Sequence, residues 1–437
     1  MNKQEMILKK AFATAVAVAD PQIIVPEYLA KIFPAGQEPQ GKCLIVGAGK
    51  ASASMASALE RYARLNWPEA KLEGTVLTRY GHGSPTKHIR IIEAGHPVPD
   101  QAGMDGAKAI FDAVNQLSTG DVLVALVSGG GSSLLTLPQK GISIEDMRKT
   151  TEALLRSGAP IEEMNVVRKH LSAILGGNLA RLAIARGARV EALLISDVTG
   201  DLPADIASGP CAPDYSTYQD ALNILAKYHL DEDAIPSSVL DHLNKGCAGE
   251  IPETLKEADL QDAQVKNHVI ATAYKSLEAA ADYVRTQGYE PIVLGDKITG
   301  EAQELAIEQA IIARQYLGKS VALISGGECT VTLPIGIKGR GGRCSEFLLS
   351  LFSATEGLPH LAALAADTDG IDGSEKNAGA WFTPELRQAA KDQDLLPAPY
   401  LAAHDCYGFF AQLDALVETG PTLTNVNDFR IILIDTE

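Results

Sequence analysis

Three short runs rich in glycine and hydroxyl groups each follow an apolar stretch: Gly47-Ala48-Gly49-Lys50, Ser128-Gly129-Gly130-Gly131-Ser132-Ser133 and Ser325-Gly326-Gly327-Glu328. Small residues let a ligand approach the backbone, and successive N–H groups opening a helix make an anion site. Lys50, flanked by Gly49 and Ala51, is placed to reach a phosphoryl group or an acidic substrate; the bland alternative is a solvated helix lysine. Gly339-Arg340-Gly341-Gly342-Arg343 puts two guanidiniums on one glycine-spaced loop, expected to be flexible. Such forks fit phosphate and carboxylate oxygens in two-point contacts. Two arginines so close repel each other unless an anion joins them, so an anionic ligand is expected there.

Carboxylates gather in the same kind of loop. Asp197, Asp201 and Asp205 follow one apolar run, and Asp367, Asp369 and Asp372 follow another. Mg²⁺ takes such oxygens, although caps and turns use aspartates too. A calcium loop is excluded at 367–373, because Asp372 stands where glycine is needed and Ile371 where a ligand oxygen is needed. His96 and His170 could contact a ligand or serve as hydrogen-bonded structural histidines. Ser132-Ser133 has no evident base partner, and no Gly-x-Ser-x-Gly elbow is present, which argues against a serine hydrolase.

The elements that must position these loops form an alternating series. Strands are predicted at Lys42–Val46, Thr75–Thr78, Ile89–Glu93, Asp121–Val127 and Glu191–Ser196, and again at Asn267–Ala271, Glu290–Leu294, Ser320–Ile324, Leu361–Ala366 and Phe429–Ile434. Helical sequence lies between them, so the fold class is α/β. An N-terminal Rossmann-like, doubly wound sheet occupies residues 1–240 and a second α/β domain residues 265–437, joined by a polar helical segment at 213–265. In such sheets ligands bind beyond the carboxyl ends of the strands, where these loops fall. Gly47-x-Gly49 invites a dinucleotide reading, but Ser52 stands where the fingerprint needs its third glycine, and no acidic residue closes a second strand about 20 residues on. Ala51 likewise replaces the Ser or Thr of a Walker A loop.

The 437 residues suit two domains, and a net charge of -17 repels polyanions, so no nucleic-acid partner is expected. Six scattered cysteines are expected as free thiols in a reducing cytosol. The Ala-rich opening imitates an export signal, but its pattern fits an amphipathic helix, and no window approaches the roughly 18 apolar residues of a membrane span. A cytoplasmic location follows as an expectation.

Taken in order, Val46-Gly47-Ala48-Gly49-Lys50-Ala51, Gly95-His96-Pro97-Val98-Pro99-Asp100, Ser128–Ser133, Asn165-Val166-Val167-Arg168-Lys169-His170, Ala207-Ser208-Gly209-Pro210, Ser325–Glu328, Gly339–Arg343, Thr368–Gly373 and Thr424-Asn425-Val426-Asn427-Asp428 cover nearly the whole chain. It resembles the glycerate 2-kinases whose C-terminal part is the MOFRL domain, a family that also carries an older hydroxypyruvate reductase label. The resemblance implies ATP-dependent phosphorylation of D-glycerate at its 2-hydroxyl, with Mg²⁺, in a cleft between two domains. It implies Lys50 and one of Arg340 and Arg343 as catalytic, with Asp197 as candidate base or metal ligand and Glu328 and Asp369 as rival metal ligands. Gly47, Gly49, Ser128, Gly129, Gly130, Gly131, Ser132, Ser133, His96, Arg168, Gly326, Gly327, Glu328, Asn425 and Asn427 are the candidate substrate and nucleotide contacts. A homodimer is one assembly open to such a chain. Cys344-Ser345 stands where many members read Asn-Gln, and Leu423 replaces a common glycine. The rival readings are a nicotinamide-dependent hydroxypyruvate reductase and a non-catalytic anion-binding protein.

Overall fold

A computed structural model describes residues 2–260, 264–334, 336–358 and 360–436. The chain divides into two compact units, Pro21–Ile270 and a discontinuous one made of Met1–Asp20 with Ala271–Glu437.

The Pro21–Ile270 unit is built on β1 (Lys42–Ala48), β2 (Lys71–Arg79), β3 (Ile89–Ala94), β4 (Val122–Val127), β5 (Arg189–Ile195) and β6 (Val265–Ala271), in the spatial order β3-β2-β1-β4-β5-β6. The pairs β1/β2, β2/β3, β1/β4 and β4/β5 are parallel. All six residues of β4, Val-Leu-Val-Ala-Leu-Val, are buried, the signature of a strand covered on both faces. After β1 the chain builds outward to β2 and β3, then returns to lay β4 on the other side of β1, so the winding reverses between β1 and β4. Register sets Ala48 opposite Val127, which makes the loops after these two strands neighbours.

Two features differ from the sequence-based boundaries. Strand β6 is the edge of this first sheet, held by His268 Nε2 against the buried Glu191 of β5 at 2.6 Å. The polar stretch after residue 213 is not a bare connection. Its helices Tyr218–Lys227 and Ser237–Cys247 pack with helices Ile144–Arg156 and Ile161–Leu171 around Leu154, Val167, Leu225, Val239 and Leu243. Few apolar residues per helix suffice when four helices share one core, so composition alone reads as a linker.

The second unit contains β7 (Glu290–Gly295), the short β8 (Gly300–Glu301), β9 (Val321–Gly327), the short β10 (Cys329–Thr330), β11 (Leu361–Asp367), β12 (Gly379–Phe382), β13 (Leu416–Val417) and β14 (Asp428–Ile434). Its main sheet has the order β13-β12-β11-β14-β9-β7, with β7 and β9 parallel and the remaining pairs antiparallel. Register aligns Asp367, Asp428 and Gly327 across three neighbouring strands at one edge. The amphipathic first helix, Lys3–Ala17, buries Ile7, Leu8, Ala11, Phe12 and Ala15 in this unit's core, with Phe12 5.9 Å from Phe429. Among the described residues no helix is long and apolar enough to cross a membrane, and the six cysteines are free.

Candidate functional site

In the Pro21–Ile270 unit, the loops after β1 and β4 interlock where the winding reverses, the place at which open α/β sheets bind ligands. Lys50 N donates to Gly129 O at 2.9 Å, Ser128 N to Ala48 O at 3.2 Å, and Ala51 N to Ser128 Oγ at 3.0 Å. Gly49 has φ +141, and a β-carbon on it would land inside Ser128, so only glycine permits this approach. Gly130, at φ +80, carries the ring of His96 against it; a β-carbon there would lie 2.7 Å from Nε2. Gly131 then opens the short helix Gly131–Leu134, and Ser132 Oγ meets Ser208 Oγ at 2.9 Å. Ala207, Ser208 and Gly209 form three successive left-handed residues, a conformation that costs non-glycine residues free energy and tends to persist at functional sites.

The structure thus gathers Gly47, Gly49, Lys50, Ser128–Ser133 and His96 at one point, and it adds Ser208, a side chain the sequence offered only as part of a motif. Asp197 follows β5 two residues past its end and is half-buried. Arg168 sits on helix Ile161–Leu171. Its Nη1 donates to Asn165 Oδ1 at 3.4 Å, and burial pulls its pKa below the usual arginine value. Among the described residues it forms no ion pair, so it is a desolvated cation suited to an incoming anion. The adjacent Lys169 is different: it is buried against Asp214 at 3.4 Å and Asp205 at 3.8 Å. His170 is likewise structural: its Nδ1 donates to Val166 O at 2.8 Å, and its Nε2 lies 3.0 Å from Glu253 Oε1.

In the second unit the arginine loop is tied to its neighbours by backbone hydrogen bonds. Arg340 N donates to His404 O, Tyr407 N to Arg340 O, and Ser374 N to Gly341 O, while Gly339 and Gly342 lie too close to His404 and Asp372 to carry side chains. Nor do the two arginines await a shared anion. Arg340, 52% exposed, stacks on Tyr407 with Asp405 and Glu375 at 3.6 and 3.9 Å. Arg343, 24% exposed, donates through Nε to Asp428 Oδ1 at 2.8 Å, through Nη2 to Asp367 Oδ2 at 3.0 Å, and through Nη1 to Glu328. Burial alone would lower its pKa, but Asp428, Asp367 and Glu328 outweigh it and hold the guanidinium charged. The protein supplies these counter-anions itself, from positions up to 85 residues away.

The same edge collects the other expected residues of this unit. Asp369 N donates to Asp367 Oδ1 at 3.0 Å, Thr368 Oγ1 to Asn427 O at 2.7 Å, and Asn427 N to Asn425 Oδ1 at 3.3 Å. Gly327, at φ +121, is glycine because its β-carbon would strike Ile298, which explains it by packing rather than by ligand approach. Asp372 is no metal ligand: fully buried, it accepts from Cys344 N at 2.9 Å and Ser345 N at 2.8 Å, capping helix Arg343–Ala354. Leu423, where the family commonly has glycine, sits at φ +59, a left-handed conformation costing roughly 1–2 kcal/mol for such a residue. Among the described residues no three His, Cys, Asp or Glu side chains converge as a metal cage. A nucleotide-borne Mg²⁺ needs only one or two carboxylates, so Asp197, Glu328 and Asp369 remain chemically suitable donors.

Residues 7–244 match the family described as "Domain of unknown function (DUF4147)", and residues 321–428 match the MOFRL family. The chain is 45% identical over 434 residues to a protein of Agrobacterium vitis named "Putative hydroxypyruvate reductase", covering 98% of this chain and 94% of that one. It is 38% identical over 433 residues to the glycerate 2-kinase of Pyrococcus horikoshii, covering 97% and 93%. The crystal structure of a glycerate kinase from Thermotoga maritima superposes with a TM-score of 0.86 at 35% identity, covering 99% of each chain.

Proposed function

The chain belongs to the glycerate 2-kinase family that carries the MOFRL domain, and on that basis we propose that it transfers the γ-phosphoryl group of ATP to the 2-hydroxyl of D-glycerate, giving 2-phosphoglycerate and ADP. The observation that carries the reading is the interlock of Gly49-Lys50 with Ser128–Ser133 at the point where the parallel sheet reverses. Backbone N–H groups and Lys50 suit phosphate oxygens there, and the desolvated Arg168 suits a substrate carboxylate.

In the reaction the substrate oxygen attacks the γ-phosphorus as the bond to the departing ADP oxygen breaks, and the hydroxyl proton passes to a base, for which Asp197 is the candidate. Arg343 rather than Arg340 is the arginine assigned to the transferring group. It is held rigidly at the strand edge, and a charge fixed before reaction stabilises developing charge without reorganisation. Mg²⁺ bound by nucleotide and by Asp197, Glu328 or Asp369 would neutralise phosphate charge.

The reductase name has less support in the residues. Ser52, where a third glycine belongs, is fully buried against Ser128, and β2 ends in Thr78-Arg79 rather than in an acidic residue. Incubation with ATP, MgCl₂ and D-glycerate should give ADP and 2-phosphoglycerate, the isomer being identified by ³¹P NMR. Absence of ADP, with NADH or NADPH oxidation on hydroxypyruvate instead, overturns the proposal. Lys50→Ala should lower turnover by about 10³-fold or more while the thermal unfolding curve stays in place.

A further inference from the structure

Arg343 is not held symmetrically. Two of its three carboxylate partners are buried, Asp428 with 0% of its side chain exposed and Asp367 with 7%, whereas Glu328 is 56% exposed. The buried pair takes Nε and Nη2, so the fixed edge of the guanidinium faces the interior and the Nη1 corner faces the exposed partner. Asp428 in turn is anchored from behind. Its Oδ2 accepts from Arg430 Nη2 at 3.3 Å and from Cys329 N at 3.4 Å, and Cys329 Sγ stands 3.5 Å away.

Arg430 is fully buried, 5.3 Å over the ring of Phe347. Its Nε and Nη1 have no acceptor among the described residues, so Asp428 is its one hydrogen-bonded charge partner. Burying a guanidinium with a single weak bond costs free energy, which pure stability does not explain, because an apolar residue of similar volume would serve the core as well or better. Within this interior set the charges balance, two arginines against Asp428 and Asp367. Strand register fixes them: Asp428 begins β14 directly between Asp367 of β11 and Gly327 of β9.

We propose that Asp428, backed by Arg430, is a positioning residue that sets the angle of Arg343 toward the transferring phosphoryl group. The proposal rests on Arg343 having that role. A guanidinium free to rotate about its long side chain would spend much of its time away from the reacting group, and a small misplacement costs rate steeply. With Nε and Nη2 pinned, the remaining Nη1 corner is the part that an incoming anion can approach by displacing Glu328.

The test is a double-mutant cycle on the full-length protein, reading kcat and KM for ATP and D-glycerate together with thermal unfolding. Asp428→Asn should lower kcat by about 10- to 100-fold with KM changed less than about 3-fold. In an Arg343→Ala background, assayed at raised enzyme concentration, the same change should cost less than about 3-fold, because there is no guanidinium left to position. Equal fold-losses in the two backgrounds overturn the proposal, as does a kcat loss accounted for by the unfolded fraction. If Asp428→Asn does not fold, Asp367→Asn takes its place, since Asp367 pins the neighbouring Nη2 of the same group and predicts the same non-additivity. Arg343→Ala alone at wild-type turnover would instead remove the role assigned to Arg343, a result distinct from additivity.

Discussion

A single residue decides whether the two loops at the sheet reversal can meet. Gly49 brings its backbone against Ser128 at φ +141, so Gly49→Ala is doubly penalised, by the left-handed conformation and by the overlap with Ser128. Destabilisation above about 2 kcal/mol is expected in thermal or urea unfolding, with ATP-dependent turnover falling further than stability alone accounts for. The arginines separate in the same way. Arg343→Lys gives up a three-sided fork that an ammonium cannot reproduce and should lower kcat by about 10²-fold, while the exposed Arg340→Lys should change it less than about 5-fold; the reverse order would exchange their roles. Residue types were legible in the sequence because glycine, lysine and arginine carry their chemistry with them. Their partners were not. The repulsion expected between Arg340 and Arg343 is relieved by Asp428, Asp367, Glu328 and Asp405, residues that register and long-range packing bring in and that no local spacing announces.

At the level of elements, apolar runs gave the strands because a buried parallel strand has nowhere to put polar side chains, as β4 illustrates. The helical layer of the first unit was harder to see, since its stability resides in contacts between elements. Glu253 is one such contact. It accepts from Tyr218 N at 3.0 Å and Thr254 N at 2.9 Å and meets His170 Nε2 at 3.0 Å. Burial pushes its pKa up, but the bonds from His170, Tyr218 and Thr254 prevail and hold it at about 2, below the ordinary 4.5. The sign follows from proton linkage: the unfolded chain binds the proton more readily, so this stabilisation is complete above about pH 4.5 and is lost as pH falls toward 2. Glu253 is partly exposed, so a contribution on the order of 2 kcal/mol is expected after allowance for solvent screening. Urea unfolding at pH 3 and pH 6 checks it: Glu253→Gln should be less stable than wild type at pH 6 and show a flatter dependence between the two. An unchanged slope would assign the acid sensitivity to other groups.

For the whole molecule, the order of residues along the chain misleads about which belong together. The sequence placed the first helix with the domain that follows it, yet Ile7, Leu8 and Phe12 are buried in the core completed by residues more than 250 positions later. Amphipathicity was readable, but the partner of an apolar face is a tertiary fact. The magnitudes make the consequence testable. Three large apolar side chains at about 1.5–3 kcal/mol each give roughly 5–9 kcal/mol, comparable to the whole stability of a typical domain. Phe12→Ala alone should cost about 3–5 kcal/mol and lower the melting of the second unit. A fragment of residues 271–437 lacks this helix and should show no cooperative unfolding transition, whereas residues 21–270 retain their sheet and the apolar cores packed on it and should melt as a unit. Adding a peptide of residues 1–20 to the 271–437 fragment should restore the transition in a concentration-dependent way, because a ligand that binds only the folded form stabilises it by mass action. Cooperative melting of 271–437 without the peptide would show that the first helix covers this core rather than completes it.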